Sequence, residues 1–132
     1  MDYEGTLIEE SLSDKSVLQS VFVTSTRVEP VTPEHHTPWL KQWTLHSILI
    51  PAEDAAIVAL QLGTSLNRRG WYVDFKNETT HFVIFPNKIF KIDRNKPEHY
   101  AAVTAYGISI GIPEYQLDFT PALKPWDHPS GT

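Results

Sequence analysis

The stretch Trp71-Tyr72-Val73-Asp74-Phe75-Lys76-Asn77 decides the fold, because it alternates more cleanly than any other part of the chain. Trp71, Val73 and Phe75 fall on one side of an extended strand, and Tyr72, Asp74 and Lys76 on the other. A strand with one apolar side needs a layer to cover that side. The residues that follow extend the pattern. Asn77-Glu78-Thr79 leads into His81–Phe85, Pro86-Asn87 signals a tight turn, and Ile89–Ile92 returns, which together read as a meander of three short strands.

The covering layer is found on either side of this meander. Upstream, Ala52–Leu66 is rich in helix formers, with Glu53 and Asp54 where the helix dipole favours negative charge. Its sheet-facing stripe is expected to be Ala56, Ile57, Leu60 and Gly63, with Glu53 and Gln61 toward solvent and Asn67-Arg68-Arg69-Gly70 as the stop. Downstream, a second helix should open near Asn95 or Lys96, take Pro97 at its first position, and run to Tyr106 with Gly107 as a left-handed cap. Two earlier strands are expected. One lies in Val17–Val28, where β-branched density implies contacts on both faces, and one is Trp43–Ile50, which Pro51 stops. Gly5–Leu12 is a further, weaker strand or turn segment.

This order predicts an α+β two-layer sandwich, ferredoxin-like in general character: a twisted, mainly antiparallel sheet with two helices on one face. Residues 1–119 should form a single domain, and residues 120–132, with Pro121, Pro125 and Pro129, an extended tail. At 132 residues and 41% hydrophobic, the chain suits one core and no more.

Composition removes several chemistries. With no cysteine there is no disulfide framework, thiolate zinc site, iron–sulfur cluster or cysteine nucleophile. Neither a Gly-rich phosphate loop, a Gly-x-Ser-x-Gly elbow nor a His-Glu-x-x-His motif is present. The first residues are acidic where a signal peptide needs a basic start, and no apolar run approaches a membrane span, so a cytoplasmic location without membrane partners is expected. The net charge of −5 gives no global attraction to nucleic acid. Charge is unevenly placed, however: residues 68–96 carry seven bases, Arg68, Arg69, Lys76, Lys88, Lys91, Arg94 and Lys96, against three acids. Most such runs are solvated faces.

Four short motifs stand together in residues 39–119: Trp39-Leu40-Lys41-Gln42-Trp43, Gly70-Trp71-Tyr72-Val73-Asp74-Phe75, Asn87-Lys88-Ile89-Phe90, and Tyr106-Gly107-Ile108-Ser109-Ile110-Gly111-Ile112-Pro113 followed by Gln116-Leu117-Asp118-Phe119. The set resembles a family of small conserved prokaryotic proteins of unknown function. That resemblance attaches no catalytic residue and implies no reaction.

Three constellations are candidates for function. If Trp71, Val73 and Phe75 face the helices, Tyr72 and Asp74 project from the open face, and alternation brings His81 to join them. His46 joins too if Trp43, Leu45 and Leu49 are the helix-facing set on its strand; the flipped strand, with Ile48 and Ile50 facing the helices, would separate His46 from Asp74. A His46, Asp74 and His81 cluster suits general acid–base chemistry, since the carboxylate fixes an imidazole tautomer. Its bland counterpart is a set of polar residues on a half-exposed sheet. Trp39 and Trp43, with a backbone stiffened by Pro30, Pro33 and Pro38 ahead of them, are candidate walls of a ligand pocket with Tyr72, His46 and His81, or simple anchors of a long loop. His35 and His36 lack a third ligand at metal spacing, so no metal and no cofactor are expected. Arg69–Phe75 approximates an RNA-recognition strand but lacks its small residue between the aromatics.

The resulting expectation is a non-catalytic ligand-binding or assembly module. A small enzyme using His46, Asp74 and His81 is the alternative, and a weak RNA-binding module is third. Homodimerisation is expected because Ile48, Ile50, Val83 and Phe85 on an uncovered sheet face would need cover from the Trp39 loop, the tail or another subunit.

Overall fold

The computed structural model describes residues 2–32, 40–67, 71–112 and 114–117. Trp39, the His35-His36 pair, Arg68, Arg69, Phe119 and the expected tail lie outside them. In chain order the elements are β1 (Tyr3–Ile8), β2 (Phe22–Pro30), β3 (Gln42–Ile50), α1 (Ala55–Ser65), β4 (Val73–Lys76), β5 (Thr80–Phe85), β6 (Lys88–Asp93) and α2 (Tyr100–Ser109). Single turns of 3-10 helix at Glu9–Ser11, Ala52–Asp54 and Pro97–His99, with longer ones at Lys15–Ser20 and Glu114–Leu117, join them. The strands form one antiparallel sheet in the order β2-β3-β1-β4-β5-β6. The fold is an α+β sandwich of an open antiparallel sheet and two helices, as the patterning implied.

The weak segment Gly5–Leu12 overlaps the central strand of the sheet, β1, in Gly5–Ile8 and continues into the 3-10 turn Glu9–Ser11. β1 pairs with β3 on one side and β4 on the other, and Gly5 permits the second pairing, since a Cβ there would collide with the Asp74 carbonyl and approach the Phe75 Cβ at 2.9 Å.

The helices are divided between the two faces, which corrects the expectation that both share one. Directly paired residues of an antiparallel sheet point the same way. The pairs Gly5↔Phe75 and Phe75↔Phe82 therefore mark one face, which packs with Val58, Ala59 and Leu62 of α1. Tyr3, Phe75 and Phe82 meet there ring to ring, with centroids 5.0 to 5.4 Å apart. The pairs Thr6↔Asp74 and Asp74↔Val83 mark the other face, where Val83, Phe85 and Ile92 pack with Val103 of α2. The physical reason is visible in β5: Phe82 and Ile84 point one way, Val83 and Phe85 the other, and all four are buried. A strand apolar on both sides requires cover on both sides.

Two helix details also differ from expectation. α1 buries Ala55, Val58, Ala59 and Leu62, spaced as one helical stripe, while Ile57 and Leu60 are exposed. Because apolar residues surround this helix, periodicity alone does not select its inner side. α2 runs through Gly107, whose missing side chain makes room for Leu117; the left-handed glycine is Gly111, with φ of 95°. The β5–β6 turn is as read: Asn87 adopts φ of 58°, and its N–H donates to the Gly63 carbonyl of α1 at 2.8 Å.

Candidate functional site

The register of β4 and β5 pairs Lys76 with His81 and Asp74 with Val83, so Asp74 and His81 are diagonal neighbours on the α2 face. His81 Nε2 lies 2.7 Å from Asp74 Oδ2, and its Nδ1 lies 2.8 Å from the Tyr100 hydroxyl at the start of α2. With a neutral ring, one arrangement satisfies both contacts: Nε2–H donates to the carboxylate, and the phenol donates to Nδ1. Burial holds Tyr100 above its ordinary phenol value; nearby Arg94 opposes this and the Asp74 charge adds to it. Tyr100 is therefore a proton donor in this chain at neutral pH. Contrary to expectation, Asp74 does not face solvent. Its side chain is 4% exposed and that of His81 1%, because α2 covers the face on which they lie. Lys76 is buried on the same face.

His46 is on the opposite side of the sheet. It pairs with Leu7, whereas Asp74 pairs with the adjacent Thr6, and one step along a strand reverses the face. The flipped setting of β3 is the one adopted, with Ile48 and Ile50 in the α1 core. His46 instead bonds Thr26 Oγ1 of β2 at 2.8 Å and Glu9 Oε1 at 2.9 Å. The His46 hydrogen bond holds the Glu9 carboxyl below its usual range; desolvation opposes this, and Lys15, 3.5 Å away, reinforces it. Glu10 receives the Thr44 N–H at 2.6 Å and the Thr44 hydroxyl at 2.8 Å. The Glu9-Glu10 pair thus ties the end of β1 to β3. His46 acts here as a staple, and the three-membered cluster of His46, Asp74 and His81 is not assembled.

Of the expected pocket residues, Trp43 and Tyr72 belong to the core. Trp43 packs on Trp71 with centroids 5.3 Å apart, and Tyr72 lies under α2 with its hydroxyl donating to the Gln116 carbonyl. A cleft of about 230 Å3 bounded by Gly5, Thr6, Thr24 and Ser47, and another of about 340 Å3 bounded by Thr80, Lys91 and Asp93, include none of Asp74, His81 and Tyr100. Trp71, Tyr72 and Phe75 are all buried, so they present no stacking surface for RNA bases. The described bases do not form one patch either: Lys76 is buried, Arg94 donates to the Asn77 carbonyl, and Lys88 and Lys91 lie over Phe90 and Phe82 on opposite faces. Among the described residues no group of three or more His, Asp or Glu side chains is placed to hold a metal ion, and no helix is long and apolar enough to cross a membrane.

Sequence reasoning missed the surface that remains. β2 was expected to meet other groups on both faces, yet Phe22–Val28 is exposed throughout, with Phe22 at 62% and Val28 at 56%. Among the described residues β2 is an edge strand of nine residues, flanked by β3 alone. Its polar run Thr24-Ser25-Thr26-Arg27 is the sequence signal for such an edge. α1 covers Ile48 and Ile50, and α2 covers Val83 and Phe85, so these residues do not call for a second polypeptide over the sheet face.

No family model matches the chain, and neither a curated protein nor a solved structure does.

Proposed function

We propose that the chain is an assembly module that works by accepting an extended strand of another polypeptide along β2. The observation that carries this reading is the exposure of both faces of a nine-residue edge strand, longer and more exposed than the six-residue edge strand β6 at the other end of the sheet. An open edge presents a row of backbone donors and acceptors, and strand addition converts them into ladder bonds while side-chain pockets select the partner. The cleft beside Thr24 and Ser47 offers such a pocket next to the bulge between Val23 and Ser25. The sealed state of Asp74 and His81 supports binding over turnover.

The backbone setting of β2 supplies the test. Val31 N–H donates to the Lys41 carbonyl at 3.1 Å, and antiparallel bonding alternates, so Arg27 and Glu29 turn their backbone groups to β3 while Thr26 and Val28 turn theirs outward. Val28→Pro thus removes an outward N–H and leaves the β3 ladder intact. Peptides selected from a random library on the wild-type chain are expected to shift the Thr26 and Val28 amide resonances and to lose binding to Val28→Pro. Selected peptides that map to another surface, or bind both forms equally, refute the reading.

A further inference from the structure

Resting on that reading, we propose that the strand received is β2 of a second copy, antiparallel to the first, with Val28 of both copies on the twofold axis. Two observations fix which backbone groups are available. Val31 N–H is used on β3, which sends the groups of Val28 and Thr26 to the free side; Pro30, which has no N–H, falls at a position whose nitrogen would also face outward, where proline is tolerated.

Charge then selects the register. Arg27 and Glu29 flank Val28 and lie on one face, their side chains 4.0 Å apart at the closest charged atoms. With the axis at Val28, each Arg27 stands opposite the partner's Glu29, and each Glu29 opposite the partner's Arg27, at positions where facing side chains approach most closely. The two Val28 residues exchange N–H to carbonyl bonds in both directions, and Thr26 N–H meets the partner's Pro30 carbonyl. The other alignments lose this match. An axis at Arg27 or at Glu29 sets like charges against each other. An axis at Thr26 places Arg27 opposite the partner's Ser25, an axis at Pro30 opposes two residues without donors, and a parallel, in-register pair aligns like with like. Antiparallel pairing about Val28 is self-complementary, as a twofold interface requires. Residues 26–30 carry the contact, and the two sheets become one.

The test uses the full chain in analytical ultracentrifugation at low ionic strength, where exposed charges act most strongly. Wild type is expected to dimerise. Arg27→Glu and Glu29→Arg each place two like pairs across the axis and should weaken the dimer about tenfold or more. The double variant Arg27→Glu with Glu29→Arg restores both pairs and the dimer. An equimolar mixture of the two single variants should form a heterodimer, a result that broken intrachain pairing cannot produce. Arg27 is largely exposed, and circular dichroism verifies that each variant is folded. A dimer that Val28→Pro dissolves but that ignores all charge changes overturns this register and leaves the edge reading standing. A wild-type chain that stays monomeric at millimolar concentration yet takes up selected peptides on β2 overturns the second copy as partner. A monomer with no peptide uptake overturns both.

Discussion

His81 and His46 carry the same kit of partners. In each, Nε2 meets a carboxylate, Asp74 or Glu9, and Nδ1 meets a hydroxyl, Tyr100 or Thr26. Their settings differ. The His81 group lies between the sheet and α2, with side chains 1% and 4% exposed, whereas Glu9 remains 31% exposed and Thr26 sits on the open β2 strand. The same hydrogen-bonding pattern therefore serves two ends: one seals α2 onto a finished core, and the other braces a strand that no further strand flanks among the described residues. Burial, and not residue type, separates them.

Three substitutions sharpen this contrast. Asp74→Ala removes the carboxylate that accepts from His81 Nε2 at a site where the His81 side chain is 1% exposed, and it should lower unfolding free energy by about 3 kcal/mol in urea titrations. A loss near zero would mean that the two histidine sites are energetically alike. Glu9→Gln should cost less than about 1 kcal/mol at neutral pH, since the pair is solvent-screened. Its effect has a pH signature. Because the folded-state carboxyl titrates below its unfolded value, its contribution is complete above the unfolded value and fades as pH falls through the folded one. Thermal midpoints of wild type and Glu9→Gln should thus converge in acid. Phe22→Ser, on the exposed strand, is expected to change monomer stability by no more than about 0.5 kcal/mol. A larger loss would show that Phe22 belongs to the core in solution.

Much of the sheet was legible. The alternation at Trp71–Phe75 and the run His81–Phe85 set the meander, and the pairing of Asp74 with His81 followed from parity. The division of the helices was legible too, in the apolar residues on both sides of β5, but those residues also admit cover by a loop or another subunit. Local pattern fails elsewhere for definite reasons. β1 is short and interrupted by Gly5, whose role depends on how closely β4 approaches. β3 has buried residues of both parities, among them Trp43, Leu45, Ile48 and Ile50, so hydrophobicity does not choose its facing side, and the side of His46 depends on register with β1. Finally, β-branched residues suit an edge strand as well as a buried one, which concealed the exposure of β2.

The position of β1 bears on how the chain reaches this state. β2 and β3 are successive and pair with each other, and β4, β5 and β6 do the same, so each group assembles from contacts near in sequence. Within the sheet of the described residues β1 alone joins them, through pairs as distant as Glu4 with Lys76. Such a closure carries a large loop-entropy cost and belongs late in folding. Six residues near the amino terminus thus act as the seam of the molecule: until they dock, a hairpin and a meander exist side by side, and pulling them out parts the sheet along its middle.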